Sequence, residues 1–535
     1  MNAPTNTSTI DLPQDTDALQ EMVLNLLKEK EALVGRVHYW QEKVNILVAK
    51  LFGRSSEKGD PMKGFPVLLG LFDEAEQIQE SSPDEVEEEG EGENKEETTP
   101  VAGHQRKKRG RKPLPDWLPR VEIVHELPES ERICDLDESL LTEIGREISE
   151  QLDIIPAQVR VIRHIRIKYG CPHCHQGVKT APAPKRPIPK ALATAALLAH
   201  VAVAKYADGL PLYRQGDILT RAGIDLSRST LANWMIQAGN LVQPLINLLR
   251  DQLLSHGVIQ MDETTVQVLN EPGKKATTRS YMWVQRGTPA EGTVILFDYD
   301  PSRSGSVPKN LLAEYQGYLQ TDGYDGYLAV GADPHIIHVG CWAHARRKFD
   351  EAIKAMGRDG KGKPGKAGQA MALIRKLYLV EKDLREAKAD PQTRFEVRHA
   401  RAGPILDELK TWLDKNLPTA PPKTALGVAM GYLNSQWPRL IRYLEDGRLE
   451  IDNNGVENAI RPFVIGRKGW LFSDSVRGVK ASANLYSIIE TAKANGLEPF
   501  AYLRHIFTAL PTATTLEDFE KLLPWNIDQA ALSIA

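Results

Sequence analysis

Val258-Ile259-Gln260-Met261-Asp262-Glu263-Thr264-Thr265-Val266-Gln267-Val268 reads as one long strand, dense in β-branched residues and free of Gly and Pro. A carboxylate, Asp262, stands in its middle, and Glu263 alternates to the opposite face. Tyr281-Met282-Trp283-Val284 and Thr293-Val294-Ile295-Leu296-Phe297 follow at hairpin distances, which predicts three successive strands. A helix-compatible segment, Lys309 to Tyr315, leads into Tyr318-Leu319-Gln320-Thr321-Asp322-Gly323. Ile336-Ile337-His338-Val339 makes a fifth strand, and a basic helix is expected just after Cys341-Trp342-Ala343-His344.

Three strands, helix, strand, helix, strand is the order of a ribonuclease-H-like fold. In that fold the first and fourth strands are neighbours, so Asp262 and Asp322 are expected side by side. Two carboxylates that close repel each other unless a divalent cation sits between them. Holding two metal ions about 4 Å apart for in-line phosphoryl chemistry calls for a third acid. Glu457, in Ile451-Asp452-Asn453-Asn454-Gly455-Val456-Glu457-Asn458-Ala459-Ile460-Arg461-Pro462, is the candidate. The plainer reading of Asn454-x-x-Glu457 is a helix capping box with Arg461 as the i+4 partner of the glutamate, and both roles can hold. Asp452 is the rival third acid. Asp325 reads as a turn residue, and Asp298 and Asp300 end the third strand away from the pair. The 135 positions from Asp322 to Glu457 exceed this fold alone, so residues 350–450, rich in Lys, Arg, Ala and Leu, are expected to form a helical insertion.

Upstream, Pro182, Pro184, Pro187 and Pro189 mark a boundary. A buried helix is expected from Ala191 to Tyr206, then a helix from Leu212 to Arg221 and a turn at Ala222-Gly223-Ile224. A second helix, capped by Ser227, runs to about Ala238 with Arg228, Ser229 and Asn233 on its polar face. Helix, glycine turn, helix suits major-groove binding, with Arg228 and Asn233 as contacts, and equally suits an ordinary helical hairpin. Before it, Cys171-Pro172-His173-Cys174 follows a strand-like run, Val159 to Tyr169, that carries Arg160, His164, Arg166 and Lys168 on one face. Paired thiolates on a turn suit tetrahedral Zn2+, with Cys134 and Asp137 as further ligands, or His173 or His175 in their place. A reduced thiol pair without metal is the alternative. Arg106-Lys107-Lys108-Arg109-Gly110-Arg111-Lys112 packs six cations into seven places, as a DNA-contacting arm or a solvated linker. Residues 84–97 hold nine acids in fourteen positions and read as a spacer.

At the amino end Leu19, Leu26, Leu33, Trp40 and Leu47 repeat at seven, and Val23, Lys30, Val37, Val44 and Leu51 follow each by four. That heptad pattern predicts a dimerising coiled coil, with Lys30 in the seam restricting register. The alternative is an amphipathic helix packed on its own chain. In charge, residues 1–97 carry 22 acids and 9 bases, so the remainder of a chain of net charge −4 is basic by +9. That keeps nucleic acid open as a partner. The longest apolar stretch, Ala191 to Ala204, is too short for the roughly 20 residues a membrane helix needs. The start lacks the features of a signal peptide, and four cysteines in 535 residues do not make a disulfide scaffold. A cytoplasmic protein with no membrane partner is expected.

Several of these motifs together resemble the large transposases of the bacterial insertion-sequence sixty-six family. The matching residues are Leu51-Phe52-Gly53-Arg54-Ser55-Ser56-Glu57-Lys58, Gly110-Arg111-Lys112-Pro113-Leu114-Pro115, Asp153-Ile154-Ile155-Pro156-Ala157-Gln158-Val159-Arg160, Met261-Asp262-Glu263-Thr264 and Thr321-Asp322-Gly323-Tyr324. They continue through Gly340-Cys341-Trp342-Ala343-His344-Ala345-Arg346-Arg347-Lys348-Phe349 and Asp452-Asn453-Asn454 to Glu457-Asn458 and Arg461-Pro462. A closing segment, Glu490-Thr491-Ala492-Lys493-Ala494-Asn495-Gly496 to Leu523-Pro524-Trp525, completes them. The resemblance implies a leucine-zipper coiled coil (1–58), an acidic then basic linker (59–120) and a zinc-finger-like module (121–180). It further implies a helical, helix-turn-helix-like region (187–256), a multi-domain α/β chain whose ribonuclease-H-like core (257–349 and 451–484) is split by a helical insertion (350–450), and a C-terminal helical region (485–535). By position the triad is Asp262, Asp322 and Glu457, holding two Mg2+ ions; in the finger, Asp137 departs from the family pattern by standing where a second upstream cysteine would, beside Cys134, Cys171 and Cys174. Cys341-x-x-His344 resembles a motif that follows the second Asp in several such families and receives no zinc here.

The expected activity is binding of an insertion sequence's terminal repeats, strand cleavage and strand transfer into target DNA. Expected contacts are Arg106, Lys107, Lys108, Arg109, Arg111, Lys112, Arg160, Arg166, Arg228, Asn233 and Arg461. Partners would be double-stranded DNA, a second copy through the zipper, and small companion proteins of the same element. The alternatives are a regulator that binds DNA without cutting it, or a ribonuclease-H-like nuclease.

Overall fold

Helix α1 (Thr16–Phe52) opens the computed structural model, which describes residues 15–52, 159–170, 178–355, 365–527 and 532. The chain forms two compact units, and of the smaller, residues 84–165, only 159–165 are described. Everything below belongs to the larger unit unless stated. In the apolar rows of α1, Val23, Leu26, Leu33, Val37, Trp40, Val44 and Leu47 are half exposed or more, with no cover among the described residues. The opposite side of the helix is the one that docks. Asn45 Nδ2 donates to the Ala355 carbonyl at 2.8 Å, and a Glu42 carboxylate oxygen accepts from Ala425 N at 3.0 Å. In the heptad frame these are outer positions, so docking leaves the seam free.

Strands β1 (Lys168–Gly170) and β2 (Val178–Thr180) form an antiparallel hairpin, extended by Arg166 Nε donating to the Ala181 carbonyl at 2.7 Å. The strand expected from Val159 to Tyr169 is therefore confined to its end. Residues 159–167 are irregular, with Val161 and Ile165 almost wholly exposed, and without a partner strand a run of β-branched residues gains nothing from being extended. Helices α2 (Ala195–Tyr206), α3 (Leu212–Arg221), α4 (Arg228–Leu241) and α5 (Gln243–Ser255) follow. Ser227 caps α4 as expected, its side chain accepting from Thr230 N, and Arg228, Ser229 and Asn233 face solvent. The other face of α4 is core, with Leu231, Trp234, Met235 and Ala238 buried. At Gly239 a Cβ would lie 2.7 Å from Ala481, so only glycine permits that helix contact.

The central sheet runs β5-β4-β3-β6-β7, formed by β3 (Val258–Asn270), β4 (Arg279–Gly287), β5 (Val294–Asp300), β6 (Gly317–Gln320) and β7 (Ile336–Val339). β3, β4 and β5 are antiparallel neighbours, whereas β6 and β7 run parallel to β3, which makes the first and fourth strands of the sheet adjacent. The helix between β5 and β6 is α6 (Ser306–Leu311), earlier than Lys309 to Tyr315. No helix fills the β6–β7 crossover: it holds only a 3-10 turn, Asp325–Tyr327. Helix α7 (Trp342–Ala355) starts inside the Cys-Trp-Ala-His motif instead of after it.

Beyond α7 come α8 (Lys366–Glu386), α9 (Pro391–Val397), α10 (Gly403–Asn416) and α11 (Ala425–Leu440). Their core, with Phe349, Ile374, Leu409 and Leu433, is separate from the core under the sheet. Its polar pin is Arg398, which has no exposed surface. Its guanidinium makes two 2.8 Å bonds to the Glu381 carboxylate and donates to the carbonyls of Tyr443, Asp446 and Leu449. The chain then returns to the sheet through α12 (Asn454–Trp470), a short β8 (Ser473–Ser475) paired with β3, and α13 (Val476–Ala494). Helix α13 covers the open edge of β5. Ser487 Oγ accepts from Phe297 N at 2.8 Å, Thr491 Oγ1 from Ile295 N at 3.0 Å, and Asn495 Oδ1 from Thr293 N at 3.0 Å. Two strand residues advance about 6.7 Å and four helical residues about 6 Å, so residues four apart on the helix meet alternate backbone groups of the edge. Helices α14 (Pro499–Ala509) and α15 (Leu516–Glu520) complete the described chain.

Candidate active site

Asp262 lies in the middle of β3, and the parallel register pairs Gln260 with Gln320. Two residues further along the same register stand Asp262 and Asp322, the latter just beyond the end of β6. Glu457 reaches them from the first turn of α12 because the segment before that helix is sewn to the strands. Gln320 Nε2 donates to the Glu450 carbonyl at 2.7 Å, Gln260 Nε2 to the Asp452 carbonyl at 3.3 Å, and Asn453 Nδ2 to the Met261 carbonyl at 3.1 Å. On the other side Trp342 N donates to the Ile451 carbonyl, and Asn453 N to Cys341 Sγ, both at 3.2 Å. The fit is tight at Gly455, where a Cβ would lie 2.3 Å from Gln260 Oε1 and 2.5 Å from Arg286 Nη1.

The three acids share one electrostatic field. Burial, then the charges of Glu457, Asp322 and Glu263, holds the Asp262 carboxyl well above the usual carboxylate range. Burial raises Asp322 as well, with Glu263 adding to it and the Tyr324 N–H, Arg303 and Arg347 opposing. Glu457 is raised by burial, with Arg347 and Arg461 opposing and Asp452 and Asp322 reinforcing. Three buried carboxyls this close resist ionising together, and Arg303, Arg347 and Arg461 offset their repulsion only in part. Asp262, Asp322 and Glu457 are residues that could hold a divalent cation. Beside them burial, with Arg347 and Lys348, pushes His344 down to about 4, so its ring is neutral near pH 7.

The capping box is not formed. The residue at the cap of α12 is Asn453, with no side-chain cap bond among the described residues, and Glu457 Oε1 is buried without a hydrogen-bond partner. Asp452 makes the turn instead, accepting from Asn454 N at 3.2 Å and Asn454 Nδ2 at 3.0 Å. Glu263 is buried on the far side of β3, accepting from Arg303 Nε at 2.7 Å and the Tyr327 hydroxyl at 2.6 Å, while Arg303 stacks 3.7 Å over Tyr324. Asp298 is tied to Arg250 at 2.6 Å and Gln285 at 2.8 Å. Arg303, Tyr327 and Arg347 received no role from the sequence. Only Arg347 had a signal, its place in the run Gly340 to Phe349.

Of the expected DNA contacts, Arg228 and Asn233 are exposed on α4, Arg461 lies one turn beyond Glu457, and Arg166 belongs to the β1–β2 hairpin. Arg160 is exposed in the smaller unit. Arg106, Lys107, Lys108, Arg109, Arg111 and Lys112 lie outside the described residues, as do Cys134, Asp137, Cys171 and Cys174. The hairpin β1–β2 flanks the segment that carries the last two cysteines.

Residues 190–481, which include the whole sheet and all three acids, match the model described as Transposase IS66 family. The chain belongs to the IS66 transposase family. Three further matches accompany it: the IS66 C-terminal element at 487–525, the zinc-finger binding domain of transposase IS66 at 131–175, and Transposase C of IS166 homeodomain at 40–123. The chain is also similar to uncharacterized proteins of Sinorhizobium fredii. It is 32% identical to y4jD, over 96% of this chain and 97% of that protein, and 33% identical to y4qI, over 98% and 99%. With y4hP the identity is 31%, over 81% and 80%. No described helix is long and apolar enough to cross a membrane.

Proposed function

We propose that this chain binds the terminal repeats of an insertion sequence, cuts one strand at each end and joins the freed end to target DNA. The observation that carries the reading is the shared field of Asp262, Asp322 and Glu457. The strand order, three antiparallel strands followed by two parallel ones, supports a ribonuclease-H-like core around them. Two Mg2+ ions held by these acids would supply charge neutralisation at the phosphate and ease ionisation of the attacking hydroxyl. The protein's part is to hold three carboxylates against their mutual repulsion on two strands and a helix. Arg347 and Arg461 add positive charge beside Glu457, where a phosphodiester needs it. In cleavage, water attacks phosphorus and the bond to the 3′ oxygen breaks. In transfer, the freed 3′-hydroxyl attacks a target phosphodiester, whose own 3′ oxygen leaves.

The remaining parts are read in the same frame. The exposed seam of α1 would pair two copies, and the family match at 131–175 supports Zn2+ on Cys134, Asp137, Cys171 and Cys174. Arg228 and Asn233 on α4 and the cations of residues 106–112 would grip DNA. The insertion would occupy 350–450, and the protein would work in the bacterial cytoplasm on DNA, with any companion proteins encoded beside it.

The test is Glu457→Gln. Gln keeps size and an amide oxygen, so binding of a labelled terminal repeat should stay within about twofold. Losing one of few carboxylates on the ions, worth about 4 kcal/mol in the transition state, lowers cleavage roughly a thousandfold. Cleavage at the wild-type rate would remove Glu457 from the site. Wild-type protein that binds ends but never cuts with Mg2+ or Mn2+ would make the chain a regulator.

A further inference from the structure

The Cys341-x-x-His344 pair has no part in the strand chemistry above, yet it stands against Glu457. Cys341 follows β7, and His344 lies three residues on in the first turn of α7, so both side chains leave the same side of the helix start. The Cys341 sulfur, a His344 ring nitrogen and a Glu457 carboxylate oxygen lie within 4.8 Å of one another. His344 Nδ1 and Glu457 Oε1 are 4.0 Å apart, and both atoms are buried with no hydrogen-bond partner among the described residues. Buried polar atoms left facing each other at that distance lack the group that would satisfy them. The sulfur is held in place by the Asn453 N–H at 3.2 Å.

We propose that Cys341, His344 and Glu457 bind a thiophilic divalent ion of the Zn2+ class, at a site that shares Glu457 with the magnesium pair. A sulfur, an imidazole nitrogen and one carboxylate oxygen suit Zn2+ and do not suit Mg2+, which takes oxygen donors. Zinc bonds of roughly 2.0–2.3 Å in a tetrahedron place donors about 3.5 Å apart, so the cluster closes by roughly 1 Å on binding. The Cys341 thiol gives its proton to solvent as the metal–sulfur bond forms, with no change of oxidation state. Three protein donors leave a fourth position open. The consequence for catalysis rests on the proposed role of Glu457: a carboxylate oxygen held by this ion, in competition with Arg347, is withdrawn from the magnesium pair. Zn2+ therefore suppresses strand cleavage that Mg2+ supports.

The chain has four cysteines, so Cys134→Ser, Cys171→Ser and Cys174→Ser together leave Cys341 as its sole thiol. Metal-stripped full-length protein carrying these changes is titrated with Co2+, whose bond to a thiolate gives a charge-transfer band in the near ultraviolet. The band is expected to account for one thiolate-bound Co2+ per chain. The band is lost with Cys341→Ser, and affinity falls tenfold or more with His344→Gln or Glu457→Gln. Should the triple variant fold poorly, zinc is counted in the otherwise unaltered chain, where Cys341→Ser lowers the content by one ion. Absence of the thiolate band in a folded triple variant, or an unchanged zinc count in Cys341→Ser, overturns the proposal. Cleavage that survives Glu457→Gln would overturn the strand-cleavage reading and leave the cobalt spectrum to judge the site by itself.

Discussion

Gly455→Ala probes how the third acid is delivered. The added methyl would lie 2.3 Å from Gln260 Oε1 and 2.5 Å from Arg286 Nη1, far inside contact distance. Gln260 has little freedom to yield: it is buried, with Nε2 donating to Gln320 Oε1 at 3.0 Å and Oε1 accepting from Arg286 at 3.0 Å. The least costly relief gives up the Arg286–Gln260 bond, about 1.5–3 kcal/mol for a charged donor. Ala in place of Gly in a helix returns up to about 1 kcal/mol. The net expectation is a loss of about 0.5–2 kcal/mol in urea unfolding. The rest of the strain moves the start of α12 and with it Glu457, and a displacement near 1 Å at a reacting centre can cost about a hundredfold in rate. Cleavage of a labelled terminal repeat should therefore fall tenfold to a hundredfold while the gel shift stays constant. In a Gln260→Ala background the cost of Gly455→Ala should shrink, because the clash is partly removed. Unchanged stability and cleavage in Gly455→Ala, or strict additivity with Gln260→Ala, would show that the close approach does not position the site.

Three further expectations follow from other parts of the molecule. Because Asp262, Asp322 and Glu457 hold protons more tightly when folded, their contribution to stability is complete below the ordinary carboxylate range and is lost as pH rises through their raised values. Mg2+ offsets that loss, so its stabilisation, about 2.7 kcal/mol at a hundredfold excess over Kd, should be larger near pH 8 than near pH 5 in thermal melts, and an equal shift at both would count against the site. Leu26→Lys with Leu33→Lys places charges in the exposed seam of α1 and should yield monomers in ultracentrifugation of the full chain; persistent self-association would locate the interface elsewhere. Arg398→Ala strands the buried Glu381 and three carbonyls, for an expected loss of about 3–5 kcal/mol in urea unfolding, and a loss under about 1 kcal/mol would mean water replaces the guanidinium.

Local signals were legible where the chain is locally determined. Ile336–Val339 and Leu212–Arg221 fall where composition and turn residues put them, and Ser227 caps the helix it was expected to cap. The neighbouring strands that carry Asp262 and Asp322 came from the order of elements, which is a global constraint on connections. Failure came where distant residues compete for a local motif. Asn454-x-x-Glu457 has the spacing of a capping box, but Asp452 takes the Asn454 N–H and the glutamate is turned inward. Val159 to Tyr169 has the composition of a strand, but only Lys168–Gly170 finds a partner. The ion pair of Arg303 with Glu263 spans forty residues and is closed by Tyr327, which nothing in the spacing announces. Gly455 is a packing requirement set by side chains from two strands, which nothing in its own neighbourhood of the sequence announces.

The docking of α1 turns its seam into a ruler. Asn45 and Glu42 anchor the helix to the carbonyl end of α7 and the amino end of α11, and α7 is the helix that carries His344 and Arg347. The free turns from Thr16 to Trp40 project away from that anchor at 1.5 Å per residue, a lever of about 36 Å. Were two copies to pair along Leu26, Leu33 and Trp40, the anchor would carry each candidate site to a fixed distance and angle from the other. The reach from the paired turns to each site would then be a property of helix length, and a seven-residue insertion after Trp40 would set each site about 10 Å further from those turns with little rotation.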